Sequence, residues 1–299
     1  MGLSIGASTV ASAFGPVNSS GSANVLRSAL LAGFFALLGA VAQGENVTQT
    51  VGSGLVSGEI ATVQAAIILL VAASLVIASV LMDYPMPTAF TVIGSVIGSA
   101  LGFSQAVSWF QVQRIVGYWL LVPFLAIGLG FGIAKVLRYY LPENGAEKEI
   151  RYLLLFTGSY VAYSAGASAL GLAVGPLTSS GFSVISLLVL GGVSILLGAW
   201  TYSPRIIRAV SFDYSSIGPR RSVAALGTAA ILAQIGIFLG IPISFNEAVI
   251  ASVIGSGLVE GRENIGGEKI KFTVAAWTGA FLLATALSYG FSAVAASLI

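Results

Sequence analysis

Long runs without a charged side chain dominate the sequence: 28–44, 60–82, 84–113, 115–134, 152–204, 222–246 and 272–299. A bilayer core needs about 20 mostly apolar residues per helix, so these runs predict roughly nine membrane crossings. The expected fold is an all-α polytopic membrane protein. Five of the spans, near 28–44, 60–82, 84–102, 115–137 and 152–170, fall between two Gly-Pro steps at Pro16 and Pro176.

Composition agrees. Of 299 residues 57% are hydrophobic, and 13 Lys or Arg with 11 Asp or Glu cannot furnish a soluble surface. Cys and His are absent, which removes disulfides, thiolate sites and the commonest transition-metal and general-base side chain. Redox, zinc and triad chemistry are therefore not expected, nor is any cofactor. Met1–Gly21 lacks the basic n-region of a cleavable secretory signal.

The chain repeats itself. Gly6-Ala7-Ser8 recurs as Gly166-Ala167-Ser168, and Gly15-Pro16-Val17-Asn18-Ser19-Ser20-Gly21 as Gly175-Pro176-Leu177-Thr178-Ser179-Ser180-Gly181, both at an offset of 160. Gly39-Ala40 returns as Gly198-Ala199. Ile93–Leu101 returns as Ile250–Leu258, identical at seven of nine places. Small residues let membrane helices pack closely and so resemble one another, but conserved order and offset weigh against that reading.

An odd number of crossings between the two copies inverts the second. Loop charges support this: if Lys135–Arg151 is cytoplasmic, that side collects Arg27, Lys135, Arg138, Lys148, Arg151, Arg205, Arg208, Arg220, Arg221, Arg262, Lys269 and Lys271, leaving Arg114 outside. The expected organisation is an inverted-topology repeat, residues 1–137 and 152–299, joined by a cytoplasmic linker, 138–151. In the second half Arg151–Ser164 precede Gly166, whereas only Met1–Ile5 precede Gly6, so the first broken helix is expected to lack its front.

Each half contains two places where a helix should break at membrane depth. One is the Gly-Ala-Ser to Ser-Ser-Gly block. The other is Pro85-Met86-Pro87-Thr88, with its partner Pro242-Ile243-Ser244-Phe245. Proline removes a donor and glycine tolerates unusual dihedrals, so peptide groups are left unpaired, which is tolerated only inside protein or around a watery cavity. Half-helix N-termini suit an anion. Gly15, Ser19, Ser20, Gly21, Gly175, Thr178, Ser179, Ser180 and Gly181 are accordingly candidate anion-binding residues; the alternative is that they serve only tight helix packing.

Glu247 is the main charged residue inside an apolar stretch. A carboxylate there must be paired, hydrated or protonated, which makes it a candidate proton carrier unless it lies at the membrane surface beside a short loop. Asp83 reads as an interfacial loop residue. Arg27 is a positive-inside anchor or an anion counter-charge.

These blocks resemble the inorganic phosphate transporter family, the phosphate permeases, over nearly the whole chain. Its signature is a duplicated Gly-Ala-Asn-Asp-Val-Ala-Asn-Ala followed by Gly-Pro, with a later Pro-Val-Ser-Thr-Thr-His in each half. Here the copies read Gly6-Ala7-Ser8-Thr9-Val10-Ala11-Ser12-Ala13-Phe14-Gly15-Pro16 and Gly166-Ala167-Ser168-Ala169-Leu170-Gly171-Leu172-Ala173-Val174-Gly175-Pro176. Val47–Val51 and Arg205–Val210 match further segments. The resemblance implies a transporter of phosphate or a related oxyanion such as sulfate. The Asn-Asp pairs have become Ser8-Thr9 and Ser168-Ala169, and Pro-Val-Ser-Thr-Thr-His has become Pro85–Phe90 and Pro242–Glu247. Sodium coupling loses its carboxylates. Glu247 stands where the second copy's His would be, so a proton is favoured as the coupling ion, with Ser8, Thr9, Ser168 and Asn246 as the remaining oxygen ligands.

The expected protein is thus a multi-pass secondary transporter of the plasma membrane, its partners an oxyanion, a coupling proton or sodium, and the lipid bilayer. A sulfate permease of the same fold and a non-transporting scaffold or sensor are the alternatives. Homo-oligomerisation is compatible with such a chain. An enzyme is disfavoured because no nucleophile–base pair or metal-ligand cluster is evident, and nucleic-acid binding because the basic residues are dispersed as topology determinants.

Overall fold

The computed structural model describes all residues except 11, 83–85, 142–145, 213–217, 262–266 and 299; side chains at 202–206, 208–212, 267–270 and 272–273 are also outside the description. Asp83, Pro85 and the side chains of Arg205, Arg208, Arg262 and Lys269, singled out above, therefore lie outside the described residues.

The described residues are helical with no β-strand, and seven helices are long and apolar enough to cross a membrane: Val25–Gln43, Thr62–Leu81, Trp109–Tyr140, Glu147–Leu177, Val184–Thr201, Pro219–Phe238 and Val274–Leu298. The remaining expected spans are short helices. They are α6 (Thr88–Gly102) and α11 (Phe245–Gly257), of 15 and 13 residues, which at about 1.5 Å per residue fall short of a ~30 Å core.

Element order repeats along the chain. The segment α1 (Gly2–Ile5), a wider π-helical turn Gly6–Val10 and α2 (Gly15–Ser19) correspond to the end of α8 (Glu147–Val174) and the 3₁₀ turn Gly175–Leu177. Next, α3 (Val25–Gln43) continues through Gly44, whose φ −68 and ψ −16 are near-helical, into α4 (Glu45–Gln49) and a second wide turn, Thr50–Gly54. This rod corresponds to α9 (Val184–Phe212). The pairs α5 (Thr62–Leu81) with α10 (Pro219–Phe238), α6 with α11, and α7 (Trp109–Tyr140) with α12 (Gly267–Leu298) complete the series, the last two each 32 residues long.

Helices α5 and α6 form an antiparallel hairpin. Their free ends are tied together where Gln64 Nε2 donates to Gln105 Oε1 at 2.7 Å, and Ser57 N donates to the Ala106 carbonyl at 2.9 Å. Helices α10 and α11 form the equivalent hairpin, closed at the same place by the Arg221–Glu260 ion pair at 2.8 Å. The bases of the two hairpins lie at opposite ends of α7. The first adjoins its start, where Ser108 N donates to the Leu55 carbonyl at 2.9 Å. The second adjoins its end, where Arg220 Nη1 donates to the Leu141 carbonyl at 2.9 Å. A 32-residue helix separates them by about 48 Å.

The halves interlock through exchanged contacts. A Cβ at Gly166 would collide with the Ala36 carbonyl, and one at Gly6 with the carbonyl of Ile195, the counterpart of Ala36. Gly39 meets the Tyr163 carbonyl as Gly198 meets that of Leu3. On the other side, Gly98 abuts the Thr285 carbonyl and Gly255 that of Ile127, while Ser288 Oγ donates to the Ser95 carbonyl at 2.7 Å where Gly130 touches that of Ser252. Each contact has a partner with the two halves swapped, the pattern of a two-fold relation. Such backbone-to-backbone approach needs side chains no larger than a hydrogen or hydroxymethyl, which is why these positions read Gly or Ser.

Gly166→Val is expected to force α8 off α3 and to cost about 1–3 kcal/mol or more, seen as a lower melting temperature and loss of the monodisperse peak in detergent. Gly117→Ala, on an open stretch of α7, is expected to hold or slightly raise it.

Candidate functional site

The site is assembled where the hairpin tips and the broken helices meet. Proline 87 precedes α6 and cannot extend the helix backwards; its ψ of 108 is extended, so the first N–H groups of α6 have no helical partner. In the second hairpin Gly240, at φ +66, turns the chain after α10 and Pro242 keeps it extended. Ser244 then caps α11, its Oγ accepting from Glu247 N at 3.3 Å. Ser-x-x-Glu is the spacing of a capping box, a signal available in the sequence that the reading above did not use.

The two tips touch. The Met86 carbonyl accepts from Asn246 Nδ2 at 2.6 Å and from Ser8 Oγ at 3.4 Å. Thr9 Oγ1 and Thr88 Oγ1 share a hydrogen bond of 2.9 Å, and Ile243 N donates to Ser168 Oγ at 3.1 Å. Ser8 with Met86 in one half and Ser168 with Ile243 in the other are thus corresponding pairs, the first serine donating to a carbonyl and the second accepting from an N–H. Trp119 Nε1 holds the second tip from outside, donating to the Pro242 carbonyl at 2.9 Å. Ser8, Thr9, Thr88, Ser168, Ser244, Asn246 and Glu247 are all buried. Two helix N-termini, from α6 and α11, therefore start beside one another in a buried place rich in hydroxyls, which favours negative charge. Asn246 Oδ1 and Glu247 Oε2 are buried without a hydrogen-bond partner.

The candidate ion-coupling residues Ser8, Thr9, Ser168 and Asn246 all belong to this junction. Glu247 is in it by its backbone and also lines an adjoining cavity between α6, α7, α11 and α12. The candidate anion-binding segments are placed differently. Gly15–Gly21 packs through α2 on α9 and α10, and Gly175 and Thr178 sit against Gly52. Gly15 and Gly175 are buried, Ser19, Ser20, Thr178 and Ser180 partly so, and Gly21, Ser179 and Gly181 exposed. Gly21 and Gly181 have φ of +72 and +83, so these glycines serve turns. Ser19, Ser20, Thr178 and Ser180 each donate to a carbonyl three residues back, those of Pro16, Val17, Gly175 and Leu177. Those hydroxyls close the ends of broken helices. Thr88 and the Met86 carbonyl were not singled out from sequence; their signal was the match of Pro85–Phe90 to the second family motif.

With this geometry established, similarity to known proteins decides the family. The sequence profile of the phosphate transporter family matches residues 5–149 and again 141–288. The chain belongs to that family. Each half is matched separately, in keeping with the repeat. It is similar to the sulfate permease CysP of Bacillus subtilis (28% identity over 296 residues, covering 96% of this chain and 83% of that one). It is also similar to PF1020 of Pyrococcus furiosus, whose name places it among phosphate permeases (23% identity, 93% and 89% covered). Among solved structures, the sodium-dependent phosphate transporter superposes with a TM-score of 0.85 at 21% identity, covering all of this chain and 97% of that one, which establishes the fold. The protein is a multi-pass transporter-family member of the plasma membrane.

The Thr9–Thr88 bond ties the first broken helix to the first hairpin tip. Thr9→Val and Thr88→Val are each expected to leave one buried hydroxyl unpaired and to cost about 1–3 kcal/mol. The double variant should cost less than the sum, as read in a double-mutant cycle on thermal unfolding.

Proposed function

We propose that this chain is an ion-coupled secondary transporter of a tetrahedral oxyanion, inorganic phosphate or its isostere sulfate, working by alternating access of two inverted halves. The observation that carries the reading is the junction of Thr9, Thr88, Met86 and Asn246, where two helix N-termini from different halves meet with buried hydroxyls and no described lysine or arginine beside them. An anion in low dielectric needs many donors, and N–H groups at two helix starts supply them from fixed positions.

The inverted arrangement, residues 1–137 against 152–299 with the linker 138–151 between, is supported by the exchanged contacts and by the two hairpin bases at opposite ends of α7. A hairpin contributes an even number of crossings, so the rod 25–54, α7 and α8 leave the count between the two Gly-Pro steps odd. Tips that meet in the middle while the bases face opposite sides are what alternating access requires: either half can tilt about a fixed central site. The segments Gly15–Gly21 and Gly175–Gly181 then act as the turns that end the broken helices, and their hydroxyls assist the anion only when they leave their own carbonyls.

Proton coupling is favoured over sodium. An anion entering a negative-inside cell needs an accompanying cation, the family's Asp positions are Thr9 and Ala169, and Glu247 is the carboxyl attached to the junction among the described residues. Phosphate near neutral pH retains a proton, for which Asn246 Oδ1 is an unpartnered acceptor; sulfate, fully ionised and asking only for donors such as the N–H groups of the two helix starts, is the second reading. The similarity to a sulfate permease points the same way.

Uptake of radiolabelled phosphate and sulfate into proteoliposomes, with proton and sodium gradients imposed separately, tests the reading. Uptake of one of the two is expected to follow the inward proton gradient, and Glu247→Gln to lower it at least tenfold with an unchanged melting temperature. Thr88→Val should weaken uptake more than Ser20→Ala combined with Ser180→Ala. Uptake driven by sodium alone would sink the proton assignment; no uptake of either anion would favour a scaffold.

A further inference from the structure

A cavity of about 450 Å³ lies between α6, α7, α11 and α12, adjoining the hairpin tips at Phe90 and Glu247. Its walls are apolar and largely aromatic: Phe90, Trp119, Trp277 and Phe281 around the floor, with Phe124 toward the outside. Phe90 stacks on Trp119 at 4.1 Å between centroids and meets Trp277 edge-on at 6.5 Å, while Phe281 stands edge-on to Trp119 at 6.3 Å. Trp119 and Trp277 occupy corresponding positions of α7 and α12, so the cavity has one tryptophan from each half. Its outer wall belongs to the two helices least buried by the rest of the chain, and Phe124 there is 76% exposed, so it opens sideways toward lipid.

One group in this lining carries charge. Glu247 is 6% exposed, and its Oε2 is buried without a hydrogen-bond partner. Its counterpart by the repeat is Phe90, so the acid has replaced an aromatic ring on one side of a pseudo-symmetric pocket. A carboxylate in an apolar, lipid-facing cavity is costly unless it takes up a proton or something donates to it or brings a positive charge. The surrounding ring faces attract cations and accept an apolar body equally.

We propose that this cavity is a binding site for a lipophilic organic ammonium ion, with the N–H⁺ head on Glu247 and the apolar body among Phe90, Trp119, Trp277 and Phe281. The volume suits a ligand of some ten to fifteen heavy atoms, at the small end of the roughly 300–1,000 Å³ typical of ligand pockets. The ligand enters from the bilayer, where such amphiphiles concentrate, and carries the donor that the carboxyl lacks. The site adjoins the oxyanion junction at Glu247 and Trp119 but its occupancy does not depend on transport; if Glu247 also carries the coupling proton, an occupant here competes with that proton.

The test uses the full chain in phosphatidylcholine nanodiscs and two matched probes, 4-phenylbutylamine and the neutral 4-phenylbutanol, with tryptophan fluorescence as readout. The amine is expected to give a saturable change at a concentration at least tenfold below the alcohol. Glu247→Gln should bring the amine down to the level of the alcohol. Trp277→Phe should remove a large part of the signal while the amine still displaces from its site a fluorescent alkylammonium probe, which separates a lost reporter from a lost fold. Equal affinity of amine and alcohol, unchanged amine affinity in Glu247→Gln, or only the non-saturable change of partitioning into lipid would each overturn the proposal. Because the readout is binding, a failure here leaves the transport reading standing, and a protein that binds the amine without moving either oxyanion overturns only the latter.

Discussion

A peptide group without a partner cannot remain in lipid, and the architecture follows from that constraint. The chain leaves regular α-helix at depth in both halves, in the π-helical turn Gly6–Val10, at Met86–Pro87 and at Pro242–Ser244, and polar side chains make the contacts between these places. The Met86 carbonyl takes the Asn246 amide, Ser168 Oγ takes Ile243 N, and Thr9 pairs with Thr88. Broken backbone is therefore gathered in one place, where polar side chains beside it supply partners. The same gathering produces a polar spot with two helix starts in an otherwise apolar bundle.

Bringing these three places and Ser168 of α8 together requires that the helices around them come closer than ordinary side chains permit. Gly6, Gly39, Gly166 and Gly198 provide this at the α3–α8 and α1–α9 contacts, and Gly98, Gly102, Gly130 and Gly255 at α6–α12 and α7–α11. In lipid there is no water to be expelled between helices, so association rests on van der Waals contact and hydrogen bonds, and small residues maximise both. Packing and site are consequently one design: the stripes that let the halves interlock also set how near their tips lie.

The chemistry left at the junction differs from that of the motif it descends from. Where the resemblance implies Asn-Asp pairs this chain has Ser8-Thr9 and Ser168-Ala169, three neutral hydroxyls that donate and accept but hold no charge, and a methyl group that does neither. The carboxyl that remains, Glu247, begins α11 beside the junction and also lines the adjoining aromatic cavity.

The membrane-spanning class and the breaks at Pro87 and Pro242 were legible in the residues, because charge-free runs and proline positions are local properties of the chain; the expected break at Gly166–Ser168 is not present, since those residues continue inside α8. Ser8, Thr9, Ser168 and Asn246 were named through the family resemblance, and the structure brings them to one junction. The sequence could not tell that α6 and α11 are short return arms of hairpins, since an apolar run of 15 residues and one of 20 look alike until their ends are seen to be tied to the preceding helix by Gln64–Gln105 and Arg221–Glu260. Nor could it distinguish the hydroxyls of Ser19, Ser20, Thr178 and Ser180, which bond their own turns, from that of Thr88, which bonds a segment 79 residues away. Which donor remains available for a ligand depends on where every neighbouring carbonyl ends up, and that is settled only when the two halves pack.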